Sequence, residues 1–144
     1  MQVNEAMSKN LITLSTESTV LKAAKTMISR NVSSIITMDG DEPKGIITMK
    51  DILARVIVKR KDPKSIKIKD VMSTPLITVN QNADVIESTR LAVKNRIRRL
   101  AVIDDDGKLV GIITSDDVAR DLQRASEELA LTYHLMSKRA GTRA

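Results

Sequence analysis

Gly45-Ile46-Ile47-Thr48-Met49-Lys50-Asp51 decides the fold, because the same pattern returns as Gly111-Ile112-Ile113-Thr114-Ser115-Asp116-Asp117. Each copy reads as a short buried strand that ends on a threonine and opens a helix. The Ile-Ile pair has the β-branched bulk of a covered strand. The glycine ahead of it allows another group to approach the backbone closely. Thr48 and Thr114 stand where an N-cap belongs, with Asp51 and Asp117 three residues on. Alone, Thr-x-x-Asp reads as a helix cap. Its duplication makes it a candidate paired site.

Outward from this stretch the whole chain repeats. The segment Val3–Ser8 is echoed by Ile68–Ser73, and Leu11-Ile12-Thr13 by Leu76-Ile77-Thr78. The offset is 65 positions between Asp39 and Asp104 and 66 between Gly45 and Gly111, so the second turn holds one more residue. Val20, Leu21, Ala24, Met27 and Ile28 fall at helical spacing, and Val85, Ile86, Thr89, Ala92 and Val93 reproduce that stripe. Asn31 is a helix stop. Strands are expected at Leu11–Leu14, Ser34–Met38 and Gly45–Thr48, and at Leu76–Thr78, Leu100–Ile103 and Leu109–Thr114. The expected fold is α/β (α+β): two tandem repeats, each a small sheet packed against two helices, face to face about a pseudo-twofold axis. Residues 1–60 form the first repeat, 61–67 a charged linker interrupted by Pro63, 68–125 the second repeat, and 126–144 a C-terminal helical extension and tail. Val118, Leu122, Ala125, Leu129, Thr132 and Met136 step by four and three along that extension. The stripe fits either a dimer seam or a helix packed back on its own domain. Lys138–Ala144 reads as a frayed basic tail.

Composition narrows the chemistry. The 144 residues include no Cys, Phe or Trp, one Tyr and one His, and carry a net charge of +6. Without cysteine there is no disulfide, thiolate or cysteine zinc site. One histidine cannot build a multi-histidine metal site. The lack of aromatics argues against a base-stacking platform, while the positive charge suits a polyanion. No apolar run is long enough to span a bilayer and no signal-peptide pattern is present, so a cytoplasmic location is expected.

Each repeat resembles a cystathionine-β-synthase (CBS) domain, over about residues 3–58 and 68–125. The residues that carry the resemblance are Gly45…Thr48…Asp51, Gly111…Thr114…Asp117, and Met-Ser followed by Leu-Ile-Thr in both halves. The resemblance implies a non-catalytic regulatory module whose two clefts bind adenine nucleotide (AMP, ADP or ATP), with S-adenosylmethionine as an alternative ligand. It implies that Asp51 and Asp117 accept hydrogen bonds from ribose hydroxyls and that Thr48 and Thr114 touch ribose or phosphate. A carboxylate can accept from two vicinal hydroxyls, and free N–H groups at a helix start favour an anion. It places Arg98 or Arg99 at the phosphate of the ligand held by Asp51, where a guanidinium offers a bidentate fork. The matching positions in the first repeat, Ser33 and Ser34, are neutral, with Lys50, Arg30 and Arg96 as compensating cations. The Asp51 cleft is therefore the expected tighter site. The base is expected near Thr13 and Leu14, or near Thr78 and Val79.

The resemblance also implies a homodimer formed through the helices, with Ala54, Val56, Ile57, Val118, Ala119 and Leu122 as contact candidates, and an effector protein regulated in trans. Two other readings compete: a basic nucleic-acid-binding protein, and a dimerisation module without a ligand. No P-loop, histidine base or cysteine nucleophile supports an enzyme, and no catalytic cofactor is expected.

Overall fold

The computed structural model describes residues 1–141. The first half runs α1 (Val3–Ala6), β1 (Thr13–Ser15), α2 (Val20–Arg30), β2 (Ser34–Asp39), β3 (Glu42–Thr48) and α3 (Met49–Ile52), which continues as a wider π-type turn through Leu53–Ile57. A 3-10 turn at Ile68–Asp70 opens the second half. It is followed by β4 (Thr78–Asn80), α4 (Val85–Asn95), β5 (Arg99–Ile103), β6 (Leu109–Thr114) and α5 (Ser115–Gly141). Each half has one three-stranded sheet, ordered β1-β2-β3 and β4-β5-β6. The first pair in each sheet is parallel and the second antiparallel. Thr37 faces Gly45 in one sheet and Val102 faces Gly111 in the other, with a register shift directly after both. The duplication is thus preserved down to the bulge. The strands β1 and β4 begin two residues later than the sequence suggests.

The two repeats are not separate packing units. Ile46 N–H donates to the Ser73 carbonyl (3.1 Å) and Ser73 N–H to the Ile46 carbonyl (2.8 Å). Ser8 and Ile112 make the same reciprocal pair, at 2.8 and 3.0 Å. The segment that opens each repeat therefore lies along the third strand of the other. Val3 and Ala6 belong to the core of the second sheet, with Val85, Leu100, Val102 and Ile113. Ile68 and Val71 belong to the core of the first, with Val20, Met27, Ile35, Ile47 and Val56. Small halves gain apolar burial by this exchange.

The crossing explains both glycines. A Cβ on Gly45 would stand 2.6 Å from the Ser73 carbonyl oxygen, and one on Gly111 2.6 Å from Met7 Sδ and 2.8 Å from the Ser8 carbonyl oxygen. The group that comes close to the backbone is thus the chain's own crossing segment.

Local chemistry fixes the helix ends. Thr19 and Asp84 cap α2 and α4 with their side chains. Both helices stop on a left-handed residue, Asn31 (φ 53°) and Arg96 (φ 55°); Asn tolerates that conformation well and Arg poorly. The linker is not loose. Leu21 N–H donates to the Pro63 carbonyl and Val20 N–H to the Ile66 carbonyl. The Glu17 carboxylate accepts from Lys67 Nζ (2.6 Å) and Lys69 Nζ (2.9 Å). Those two ammonium groups, Lys67 first, hold its pKa down to about 2.

α5 is a single helix of 27 residues, about 40 Å long at ~1.5 Å per residue. From Leu122 through Met136 every residue on it is exposed. It does not pack back on its own domain over that span, contrary to one of the two sequence readings. The helix continues to Gly141, so the expected frayed tail is helical over its first part; residues 142–144 lie outside the described residues. No helix among the described residues is long and apolar enough to cross a membrane.

Candidate functional site

The strands β3 and β6 deliver the two Thr-x-x-Asp turns to equivalent places, and both turns are capping boxes. Asp51 N–H donates to Thr48 Oγ1 (3.2 Å) and Thr48 N–H to Asp51 Oδ2 (2.9 Å). Asp117 N–H donates to Thr114 Oγ1 (3.2 Å) and Thr114 N–H to Asp117 Oδ2 (2.9 Å). The two aspartates are equally buried, 9% and 8% exposed, so burial does not distinguish them.

Their remaining oxygens do. Asp51 Oδ1 accepts from Ser73 Oγ at 3.2 Å. Arg55 Nε stands 4.0 Å from the same oxygen, while Arg55 Nη1 donates to the carbonyls of Val71 (2.8 Å) and Met72 (3.2 Å). The crossing segment thus closes over Asp51. Asp117 Oδ1 faces Arg120 Nη2 at 3.5 Å, an i,i+3 pair with a half-exposed guanidinium. Ser8, the counterpart of Ser73, instead accepts from Asn10 N–H through its Oγ (3.4 Å). The exposure of its arginine to water weakens the Asp117–Arg120 pair.

A cavity of about 460 Å³ opens beside Asp117. That volume is within the range of small-ligand sites, roughly 300–1,000 Å³. Thr114, Ser115, Asp116, Asp117 and Arg120 form one wall, Leu11 and Ile12 another, and Ser33, Ser34, Arg98 and Arg99 a third. The cavity therefore combines aliphatic side chains (Leu11 and Ile12 among them), a buried carboxylate, the start of a long helix and three guanidiniums.

This corrects the sequence reading of the arginines. Arg98 and Arg99 border the Asp117 cavity and were expected at Asp51. The cause is the meeting of β2 and β5 at their starts. Arg99 Nη2 donates to Ser33 Oγ at 2.8 Å, and the Arg98 carbonyl accepts from Ser115 N–H at 3.1 Å, which ties the arginines to the helix that carries Asp117. Ser33 and Ser34 lie in the same cavity as the arginines they match, not in an opposite one. The expected base site also moves. Leu11 and Ile12 line the cavity, while Thr13 is exposed and outside its lining. Thr78 and Val79 border a separate hollow between β4 and α4, with Arg90 and Lys94. Lys50 is exposed and outside the lining of this cavity, which its counterpart Asp116 reaches. Among the dimer candidates, Val56 is fully buried in the first core and cannot be a surface contact, whereas Ile57 and Leu122 are more than half exposed.

The sequence reading missed Arg120, Asn10, Leu11 and Ile12. Arg120 had a signal, since it lies one turn after Asp117 on the same helix face. The others had none, because they belong to the first repeat and reach the site only through the crossing.

With this geometry in place, comparison with known proteins is direct. The CBS domain family model matches residues 3–58 and 68–124, and the chain belongs to the CBS domain family as a tandem pair. CBS pairs are regulatory modules. The chain is similar to an uncharacterized protein of Methanopyrus kandleri, 38% identical over 81% of this chain and 60% of the relative. It is also similar to the CBS domain-containing protein YhcV of Bacillus subtilis, 31% identical over 90% of this chain and 92% of that one. The chain thus spans about three fifths of the first relative and nearly all of the second. Among solved structures, the CBS domain pair of protein MJ0100, in complex with 5'-methylthioadenosine and S-adenosyl-L-methionine, superposes with a TM-score of 0.77 at 28% identity. It covers 87% of this chain and 98% of that one.

Proposed function

We propose that this chain is a regulatory module that binds one adenine nucleotide per chain, in the Asp117 cavity, and passes its occupancy to a protein partner. The observation that carries this reading is the convergence of Arg98, Arg99 and Arg120 on a cavity holding a buried aspartate. Arginine is suited to phosphate by its planar fork and permanent charge. Asp117 would accept from the ribose hydroxyls once Arg120 turns from the carboxylate to the phosphate. Leu11 and Ile12 would cover one face of the base. The adenosine-containing ligands of the MJ0100 pair support the ligand class. In this reading the Asp51 cleft is the weaker site, because Ser73 and Arg55 already occupy its carboxylate. A homodimer through the exposed apolar residues Leu53, Ile57, Val93 and Leu122, acting in the cytoplasm, completes the proposal.

Titration calorimetry of the chain against AMP, ADP, ATP, S-adenosylmethionine and a short oligonucleotide tests it. The expected result is saturable heat with at least one mononucleotide at one equivalent per chain. Heat from the oligonucleotide alone would assign the basic surface to nucleic acid, and no heat from any ligand would leave a dimerisation module.

A further inference from the structure

We infer that the projecting part of α5 is an antiparallel self-association seam, whose occupant is α5 of a second copy of this chain. The seam does not depend on the nucleotide reading. Its stripe is Leu122, Ala125, Leu129, Thr132 and Met136, with alternating three- and four-residue steps, the spacing that keeps one face of a helix against another; Val118, at the same spacing, packs on the core of the second sheet. Leu129 and Met136 are 71% and 63% exposed, far more than a large apolar side chain on a finished surface.

Two features of the helix select both the partner and its direction. The first is size. Large residues (Leu122, Leu129, Met136) alternate with smaller ones (Ala125, Thr132) along the stripe. A parallel pair would stack large on large and small on small, with a void at each Ala125 layer. An antiparallel pair sets Leu129 against Thr132 of the second copy, and Met136 against its Ala125, so each layer from Ala125 to Met136 is large against small. Such a surface is self-complementary, as a twofold interface requires.

The second feature is charge. Residues 115–128 hold five acids (Asp116, Asp117, Asp121, Glu127, Glu128) against two arginines (Arg120, Arg124), while residues 129–141 hold Lys138 and Arg139 and no acid. An antiparallel pair brings the acidic half of each helix to the basic half of the other, and a parallel pair brings like to like. The polar residues of the proximal half carry both signs and pair internally, as in Arg124–Asp121 at 3.7 Å. That differs from the lysine-rich face of a helix that lies on an anionic membrane.

Disulfide trapping in the cysteine-free chain tests the inference. In the antiparallel seam, Ala125 of one copy lies roughly 16 Å from Ala125 of the other along the axis, too far for a disulfide, which needs Cα atoms within about 7 Å. Chains carrying A125C or M136C alone are expected to stay uncrosslinked under mild oxidation. An equimolar mixture is expected to form the A125C–M136C heterodimer, and adding L129E to both chains should reduce its yield at least tenfold. All three residues are exposed, so folding is unaffected. Self-crosslinking of A125C, no crosslink in the mixture, or an L129E yield equal to the parent's would each overturn the seam.

Discussion

Alanine at position 45 is expected to destabilise the fold by about 2–3 kcal/mol, the upper part of the range for forcing an extra methyl into a packed site. The new Cβ would sit 2.6 Å from the Ser73 carbonyl oxygen, in a residue held by a reciprocal pair of hydrogen bonds to Ile46 on β3. Relief requires the crossing segment to lift off β3, which weakens the Ile46–Ser73 pair and draws Val71 out of the first core. Total stabilities of domains this size are about 5–15 kcal/mol, so the loss is a large fraction. Gly40 is the control. It has a positive φ of 60° but nothing within 4 Å of a built Cβ, so alanine there costs only local strain, about 1 kcal/mol. Urea unfolding of both variants measures the difference; equal costs would remove the crossing segment from the account of Gly45.

Removing both guanidiniums next to the cavity, as R98A/R99A, is expected to weaken AMP binding about 10–100-fold, the worth of one or two charge-assisted hydrogen bonds. Adenosine, which lacks the phosphate, should bind the variant as it binds the parent. A general loss of cavity shape would weaken both ligands together, and that outcome would assign Arg98 and Arg99 to structure rather than phosphate. Part of their structural role is visible already, since Arg99 reaches Ser33 across the junction of the repeats. The comparison of AMP with adenosine separates the two roles at one position.

The duplication made the fold legible. Once Gly45–Asp51 and Gly111–Asp117 are aligned, the order of strands and helices follows, and Leu109–Thr114 is read to the residue. The sites of the caps at Thr48 and Thr114 were legible too, because capping is a local matter of three residues. The crossing was not. Val3–Ser8 and Ile68–Ser73 echo one another whether each packs on its own sheet or on the other's, so periodicity cannot tell the two arrangements apart. That ambiguity misplaced the arginines. Assigning Arg98 and Arg99 to the Asp51 cleft required knowing which repeat's elements meet at the axis, and the cavity they share with Ser33 and Asp117 puts them on the other side. The α5 stripe shows a different limit. Its spacing declares an apolar face, but only exposure from Leu122 to Met136 shows that nothing in its own domain covers that face.

The inequality of the two clefts is the central claim, and separate calorimetry of Asp117→Ala and Asp51→Ala tests it most directly. Both variants lose the same kind of helix cap, about 1 kcal/mol each, so a difference between them in ligand affinity cannot come from the cap. The account predicts that Asp117→Ala loses at least tenfold in nucleotide affinity while Asp51→Ala stays within about threefold of the parent, the former being a lost pair of hydrogen bonds to a charged acceptor. A larger loss from Asp51→Ala, or equal losses from both, would contradict it.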